Sequence, residues 1–168
     1  MKIIFSILFL MLFQSSAFSL EDKNSPINIK SQAMQINYGQ NVAKYLGEVF
    51  VKQNRLTIKC NTMTIYYGGD KADSINILNA NSIKKIEFDS NVIVSKDGKV
   101  AKGDIGIFNP EIHKITLSGN ASLRDGESYL KGETVVYDTV KRIFNVHNNK
   151  PTEKGRVKVV ISEDQIHG

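Results

Sequence analysis

Apolar and polar residues alternate along most of this chain with a period of two. Val49/Val51, Leu56/Ile58, Val92/Val94, Ile105/Ile107, Ile115/Leu117, Ala121/Leu123 and Val157/Val159 each stand two apart, and side chains so spaced share one face of a β-strand. No stretch after residue 20 keeps the 3.6-residue apolar period of a helix over three turns. Ser74–Ile86 comes nearest, with room for one short helical turn. Asp97-Gly98 and Asp125-Gly126 fall between alternating runs, and Asp-Gly in that position signals a hairpin. The pattern predicts an all-β protein of about a dozen or more short strands.

The strands come in repeats. Ile29-Lys30-Ser31-Gln32-Ala33-Met34-Gln35-Ile36 aligns with Ile58-Lys59-Cys60-Asn61-Thr62-Met63-Thr64-Ile65 at an offset of 29. Lys102-Gly103-Asp104 aligns with Lys131-Gly132-Glu133 at the same offset. Taking Ser31, Cys60, Gly103 and Gly132 as equivalent gives steps of 29, 43 and 29. The longer middle step places an insertion in the polar Gly68–Ser82 stretch. A small residue at each equivalent position points to tight packing or a bend. Stacked hairpin units bury a shared apolar strip that no single unit can bury alone. Equal units favour an elongated pair of facing sheets over a compact up-and-down barrel.

The N-terminus follows a different pattern. Lys2 precedes an apolar run from Ile3 to Phe13, broken only by Ser6, and Ala17-Phe18-Ser19 offers small residues for cleavage before Leu20. This is the layout of a secretory signal peptide, and the run is short of the roughly 20 apolar residues of a membrane span. The chain therefore divides into a signal peptide at 1–19, a flexible arm at 20–26, a β-domain at 27–161 and a tail at 162–168.

Composition narrows the chemistry. The chain has 168 residues, 41% of them hydrophobic and 23% charged, too apolar for a disordered protein. One cysteine, Cys60, rules out an internal disulfide. His113, His147 and His167 lack metal-ligand spacing. Cys60 has no CxxC neighbour and reads as a small buried thiol. No phosphate-binding loop or nucleophile elbow is present. Asp70/Asp73 and Asp104/Glu133 read as solvated carboxylates, and the chain has no Trp to bind a sugar. No enzyme, cofactor or metal site is therefore expected. The net charge is +5, without the dense basic stripe of a nucleic-acid binder. Lys30, Lys59, Lys102 and Lys131 recur at one repeat position, and Arg156 adds a further dispersed cation. Such a ladder suits either a solvated strand edge or an anionic headgroup.

Together these phrases carry a resemblance. Pro26-Ile27-Asn28-Ile29-Lys30-Ser31 with Met34, then Leu46-Gly47-Glu48-Val49-Phe50-Val51-Lys52-Gln53, Asn91-Val92-Ile93-Val94 and Leu117-Ser118-Gly119-Asn120-Ala121-Ser122-Leu123 resemble the LptA, or OstA-like, family of periplasmic lipopolysaccharide-transport proteins. Three such phrases stand in register, covering about residues 26–161. Ser90 and Cys60 stand where the family often has Gly or Ala. The resemblance implies an elongated open β-jellyroll of stacked antiparallel hairpins. It implies a periplasmic carrier that binds lipopolysaccharide through lipid A, bridges the inner and outer membranes, and associates end to end. Its implied neighbours are inner-membrane LptC-like and outer-membrane LptD-like proteins, met through open edges at Ile27–Tyr38 and Arg156–Ile161. The alternatives are an anchored LptC-like subunit and a structural β-solenoid that binds no lipid. For the carrier, the expected apolar lining is Ile36, Val49, Val51, Ile58, Met63, Ile65, Val92, Val94, Ile105, Ile107, Leu117, Leu123 and Val135.

Overall fold

The computed structural model describes residues 25–68 and 82–148, together with the backbone of 158–160. The expected signal peptide, most of the arm, residues 74–81 of the helical-turn candidate, the C-terminal tail, and Asp70 and Asp73 lie outside the described residues. Ile83 and Ile86, at the end of that candidate, are strand residues.

Among the described residues twelve strands form one antiparallel sheet: β1 (Asn28–Lys30), β2 (Ala33–Asn37), β3 (Val42–Gln53), β4 (Leu56–Tyr67), β5 (Ile83–Lys96), β6 (Lys99–Asn109), β7 (Lys114–Ser118), β8 (Ser122–Asp125), β9 (Ser128–Lys131), β10 (Thr134–Asp138), β11 (Ile143–His147) and β12 (Lys158–Val160). The sheet is open, with β1 and β2 at one end and β11 and β12 at the other. The elongated stack, and not a closed barrel, is the architecture adopted. Asp97 and Gly98 turn β5 into β6 with φ of 51° and 81°, the double positive φ of a type I′ hairpin.

The repeat marks a corner. Register breaks between Leu46 and Val49, between Lys59 and Thr62, and between Asp89 and Val92. At the first and third breaks two residues of one strand oppose one of its neighbour, and at the second three residues of β5 oppose two of β4. The doubled pairs are Gly47-Glu48, Ser90-Asn91 and Gly119-Asn120, and all six residues have positive φ. Their steps are 43 and 29 residues, the steps of the repeat. Asn61 faces the first pair and Asp104 the second, each directly after a small position of the repeat, Cys60 pairing with Val49 and Gly103 with Val92. A two-against-one bulge bends the strands and raises their twist. Placed in register, these bulges fold the sheet along one line into two walls. Room is short there. A side chain on Gly103 would meet the Ser118 carbonyl at 3.0 Å, and one on Gly132 would meet the His147 carbonyl at 2.8 Å. Asp104, a repeat carboxylate, accepts a hydrogen bond from Asn120 Nδ2 at 2.8 Å across this corner.

Each wall presents one unbroken inner row after another. On the first wall Ile29, Val51, Ile58, Val94, Ala101, Leu123 and Leu130 are partners in sequence, strand to strand. On the second wall the row nearest the corner is Tyr45, Met63, Phe88, Gly106, Leu117, Val135 and Val146. The next row out is Ala43, Ile65, Ile86, Phe108, Ile115, Tyr137 and Phe144. These rows face one another and make the core.

Candidate functional site: an apolar trough between the walls

The inner rows do not close evenly. Around β1 to β5, and on to Phe108, Ile115 and Thr139 of the second wall, they leave a cavity of about 610 Å³, within the roughly 300–1,000 Å³ of pockets that enclose small ligands. The first wall contributes Ile29, Val51, Leu56 and Ile58 to it; the second contributes Tyr45, Met63, Ile65, Tyr67, Ile83, Ile86 and Phe88. Ser25, Pro26 and Ile27 run along its rim, where Gln53 Nε2 donates a hydrogen bond to the Ser25 carbonyl at 3.2 Å. Ile27 is 46% exposed. Ile29, Tyr45, Val51, Leu56, Tyr67, Ile83 and Ile86 are only partly buried. Apolar side chains that line a concave surface and stay partly wet are the signature of a binding trough.

The same dry environment shifts the ionisable groups nearby. Burial pushes the Tyr67 hydroxyl up to about 12 and raises that of Tyr45. The Cys60 thiol, at the corner, is pushed up to about 11, chiefly by burial. Cys60 is therefore a protonated, packed thiol at neutral pH, and the thiolate needed for nucleophilic work is suppressed. Among the described residues no three His, Cys, Asp or Glu side chains gather as metal ligands would.

The expected lining residues separate into four groups. Val51, Ile58, Met63 and Ile65 border the trough. Val49, Val92, Val94, Leu117, Leu123 and Val135 lie in the sealed part of the core instead. Ile36 is half-buried on β2 and does not reach the trough. Ile105 and Ile107 correct the expectation outright: they are 48% and 42% exposed on the outer face. The reason is the corner. Inward positions on β6 are Ala101, Gly103 and then Gly106, so alternation changes phase between Gly103 and Gly106 and turns both isoleucines outward. Tyr45, Leu56, Tyr67, Ile83, Ile86 and Phe88 are trough residues that sequence reading passed over. Their signal was present, since Tyr45 alternates with Ala43 and Tyr67 with Met63 and Ile65.

The outer faces differ in charge. Lys30, Phe50, Lys59, Ile93, Lys102, Ser122, Lys131 and Lys158 are partners in one row across the first wall. The repeat lysines thus form a ladder on the back of a wall, away from the trough, and not along an edge. On the second wall Glu87 accepts a hydrogen bond from Tyr66 at 2.7 Å and pairs with Lys85 at 2.8 Å. These two partners, Lys85 first, hold its carboxyl below the usual range.

Comparison with known proteins fits this architecture. The family model described as "LptA/(LptD N-terminal domain) LPS transport protein" matches residues 28–143. The lipopolysaccharide export system protein LptA of Haemophilus influenzae is 30% identical over 160 residues, covering 94% of this chain and 89% of that protein. The lipopolysaccharide export system protein LptH of Pseudomonas aeruginosa is 27% identical over 125 residues, or 74% of this chain and 69% of that protein. The crystal structure of LptH, described as the LptA-homologous periplasmic component of the lipopolysaccharide transport device of that organism, superposes with a TM-score of 0.65. It shares 19% identity and covers 84% of this chain and 99% of its own. With the family model spanning the corner-folded sheet from β1 into β11, this chain belongs to the LptA/(LptD N-terminal domain) family of lipopolysaccharide transport proteins.

Proposed function

We propose that this protein carries lipopolysaccharide through the periplasm by sheltering lipid A acyl chains in the trough between its walls. The observation that carries this reading is the 610 Å³ cavity, whose lining is mainly aliphatic and aromatic. Each methylene moved from apolar surroundings into water costs about 0.8 kcal/mol. An acyl chain of about a dozen carbons thus faces roughly 10 kcal/mol in the aqueous gap, and several chains on one lipid multiply it. A trough lowers that cost without chemistry. Apolar contact is non-directional, so this chain supplies shelter, and the drive comes from a partner that spends nucleotide energy elsewhere.

The open ends supply the second half of the proposal. Among the described residues β1 and β2 leave one edge unpaired, and β11 and β12 leave the other, one strand from each wall. Unpaired backbone groups accept a neighbouring strand. Contact between unlike ends propagates as a bridge and does not close a ring. Units joined in this way would align their interiors between LptC-like and LptD-like proteins at the two membranes. In this reading residues 1–19 serve export and are removed.

The test is a photo-crosslinking side chain placed at Val51 or Met63, with Val94 and Ile105 as controls in the sealed core and on the outer face. Lipopolysaccharide adducts at the first pair and none at the controls are expected. Equal labelling at all four positions, or none at any, would remove the proposal. For assembly, sedimentation should show concentration-dependent oligomers that shorten when residues 156–168 are deleted. A strict monomer at every concentration would exclude end-to-end joining.

A further inference from the structure

We propose that Phe88 is the stop that sets how far an alkyl chain can enter the trough. The inference rests on the trough being the acyl-chain site and adds what limits it. On β6 the inward residues ahead of Phe108 are Ala101, Gly103 and Gly106, which hold nothing out between the walls beside the corner. The walls therefore meet there. A Cβ on Gly106 of the second wall would lie 3.2 Å from Val92 Cγ1, which comes from the first wall. It would lie 3.2 Å from Phe88 Cδ2 and 3.0 Å from Leu117 Cδ2. Phe88 is the one member of this cluster that also faces the cavity. It is 2% exposed. Its ring leans over the glycine, with the trough on one side and the sealed core on the other.

Beyond Phe88 only the second wall reaches the cavity, through Phe108, Ile115 and Thr139, while Val94, Ala101 and Leu123 opposite do not. The deep part of the trough thus runs from the β1 edge to β5. At about 4.8 Å per strand that is about 15 Å, the length of an extended chain of about a dozen carbons. A longer chain has nowhere to put its end except water.

The experiment uses the full-length exported protein and saturated fatty acids of graded length, from about eight to about eighteen carbons, displacing a fluorescent apolar dye. Affinity should rise by up to about fourfold per added methylene, then level off near a dozen carbons. Phe88→Leu, a mild truncation that keeps the core apolar, should move the break to longer chains. Gly106→Ala, whose methyl presses Phe88 toward the cavity, should move it to shorter ones. Circular dichroism checks that each variant is folded. A steady rise through all lengths in the unaltered protein, or a break that neither folded variant moves, would overturn the stop while leaving acyl binding in place. Failure of every length to displace the dye would remove acyl binding and the stop with it.

Discussion

The two ends of the same folded sheet behave differently. From β1 to β5 the inner rows carry Tyr45, Met63, Ile65, Ile58, Val51 and Ile86, and the walls stand apart around a cavity. From β6 to β10 small residues, Ala101, Gly103, Gly106 and Ala121, stand among the inward positions, and the walls close there around Leu117, Leu123 and Val135. Ala101 and Ala121 there are 0% exposed. Backbone, register and corner are shared by both halves, so topology does not decide which half opens. The volumes of the side chains facing one another do. Long side chains prop the walls without filling the space between them; small ones let the walls close, and their longer neighbours pack into the seam. One half stores stability and the other holds open an apolar surface that the fold alone would rather bury.

The sharpest way to break this comparison is to truncate one residue in each half. Leu117 is 1% exposed and packs across Gly106, so Leu117→Ala should cost about 3 kcal/mol or more. Ile86→Ala, in the partly wet trough, should cost about 1 kcal/mol, because its side chain has less area to lose. Urea unfolding measures both, and equal costs would mean that the trough is as tightly closed as the seam. The corner comes next. A methyl on Gly132 would meet Val146 Cγ1 at 2.6 Å and the His147 carbonyl at 2.8 Å. Backbone on β11 must then shift, and Gly132→Ala should cost about 1–3 kcal/mol. A neutral result would show that the corner is looser than the contacts require.

Much of this architecture was legible in the sequence. The 29-residue step, read as a stacking period, proved to be the spacing of the corner bulges, and the demand for a small residue at Ser31, Cys60, Gly103 and Gly132 was the demand of the fold line. The error came at that same line. Strand alternation was extended through Gly103–Gly106 as if the pleat were unbroken, and Ile105 and Ile107 were placed inside. A bulge on β5 shifts the phase of β6; the glycines of Gly103–Gly106 signalled a bend there, but not that it would reverse the faces of Ile105 and Ile107. The division into open and sealed halves was illegible for another reason. It depends on which residues face each other across the interior, a pairing fixed by register between strands far apart in the chain. The row of small residues on β6 was its only local trace.

Alkaline pH probes the burial within β4 more gently. Burial raises the Cys60 thiol from 9.0 to about 11 and the Tyr67 hydroxyl from 10.0 to about 12. The folded chain therefore keeps these protons after the unfolded chain has lost them. Where the native state binds more protons, stability falls as pH rises. Their contribution is intact below about pH 9 and disappears as pH passes through 11 and 12. The thermal midpoint should decline over that window, and Cys60→Ser and Tyr67→Phe should each flatten the decline. A midpoint that falls just as steeply in both variants would place the alkaline sensitivity elsewhere. Smaller still is the strain at the corner. Ser90 takes a φ of 62°, a left-handed conformation that favours glycine. Ser90→Gly should therefore stabilise the fold by up to about 1 kcal/mol, less whatever chain entropy the glycine adds to the unfolded state. A loss of stability would mean that the Ser90 side chain contributes more than its backbone costs.

The faintest expected effect concerns the outer faces, and it has opposite signs on the two walls. Lys102 lies two strands from Lys59 and two from Lys131 in one row, about 10 Å from each at about 4.8 Å per strand. Two like charges at that distance in water repel by about 0.4 kcal/mol before salt screens them. Lys102→Gln removes two such repulsions and should raise stability by a few tenths of a kcal/mol at low salt. Glu87 sits instead among attractive partners, Lys85 and Tyr66, and Glu87→Gln should lower stability by a similar amount, as exposed pairs do. Both changes should shrink in about 1 M salt, where the Debye length falls to roughly 3 Å. If Lys102→Gln destabilised the protein at low salt, the lysine ladder would be held by counter-charges that the register does not place beside it, and the back of the first wall would have to be treated as a paired surface and not as a repulsive one.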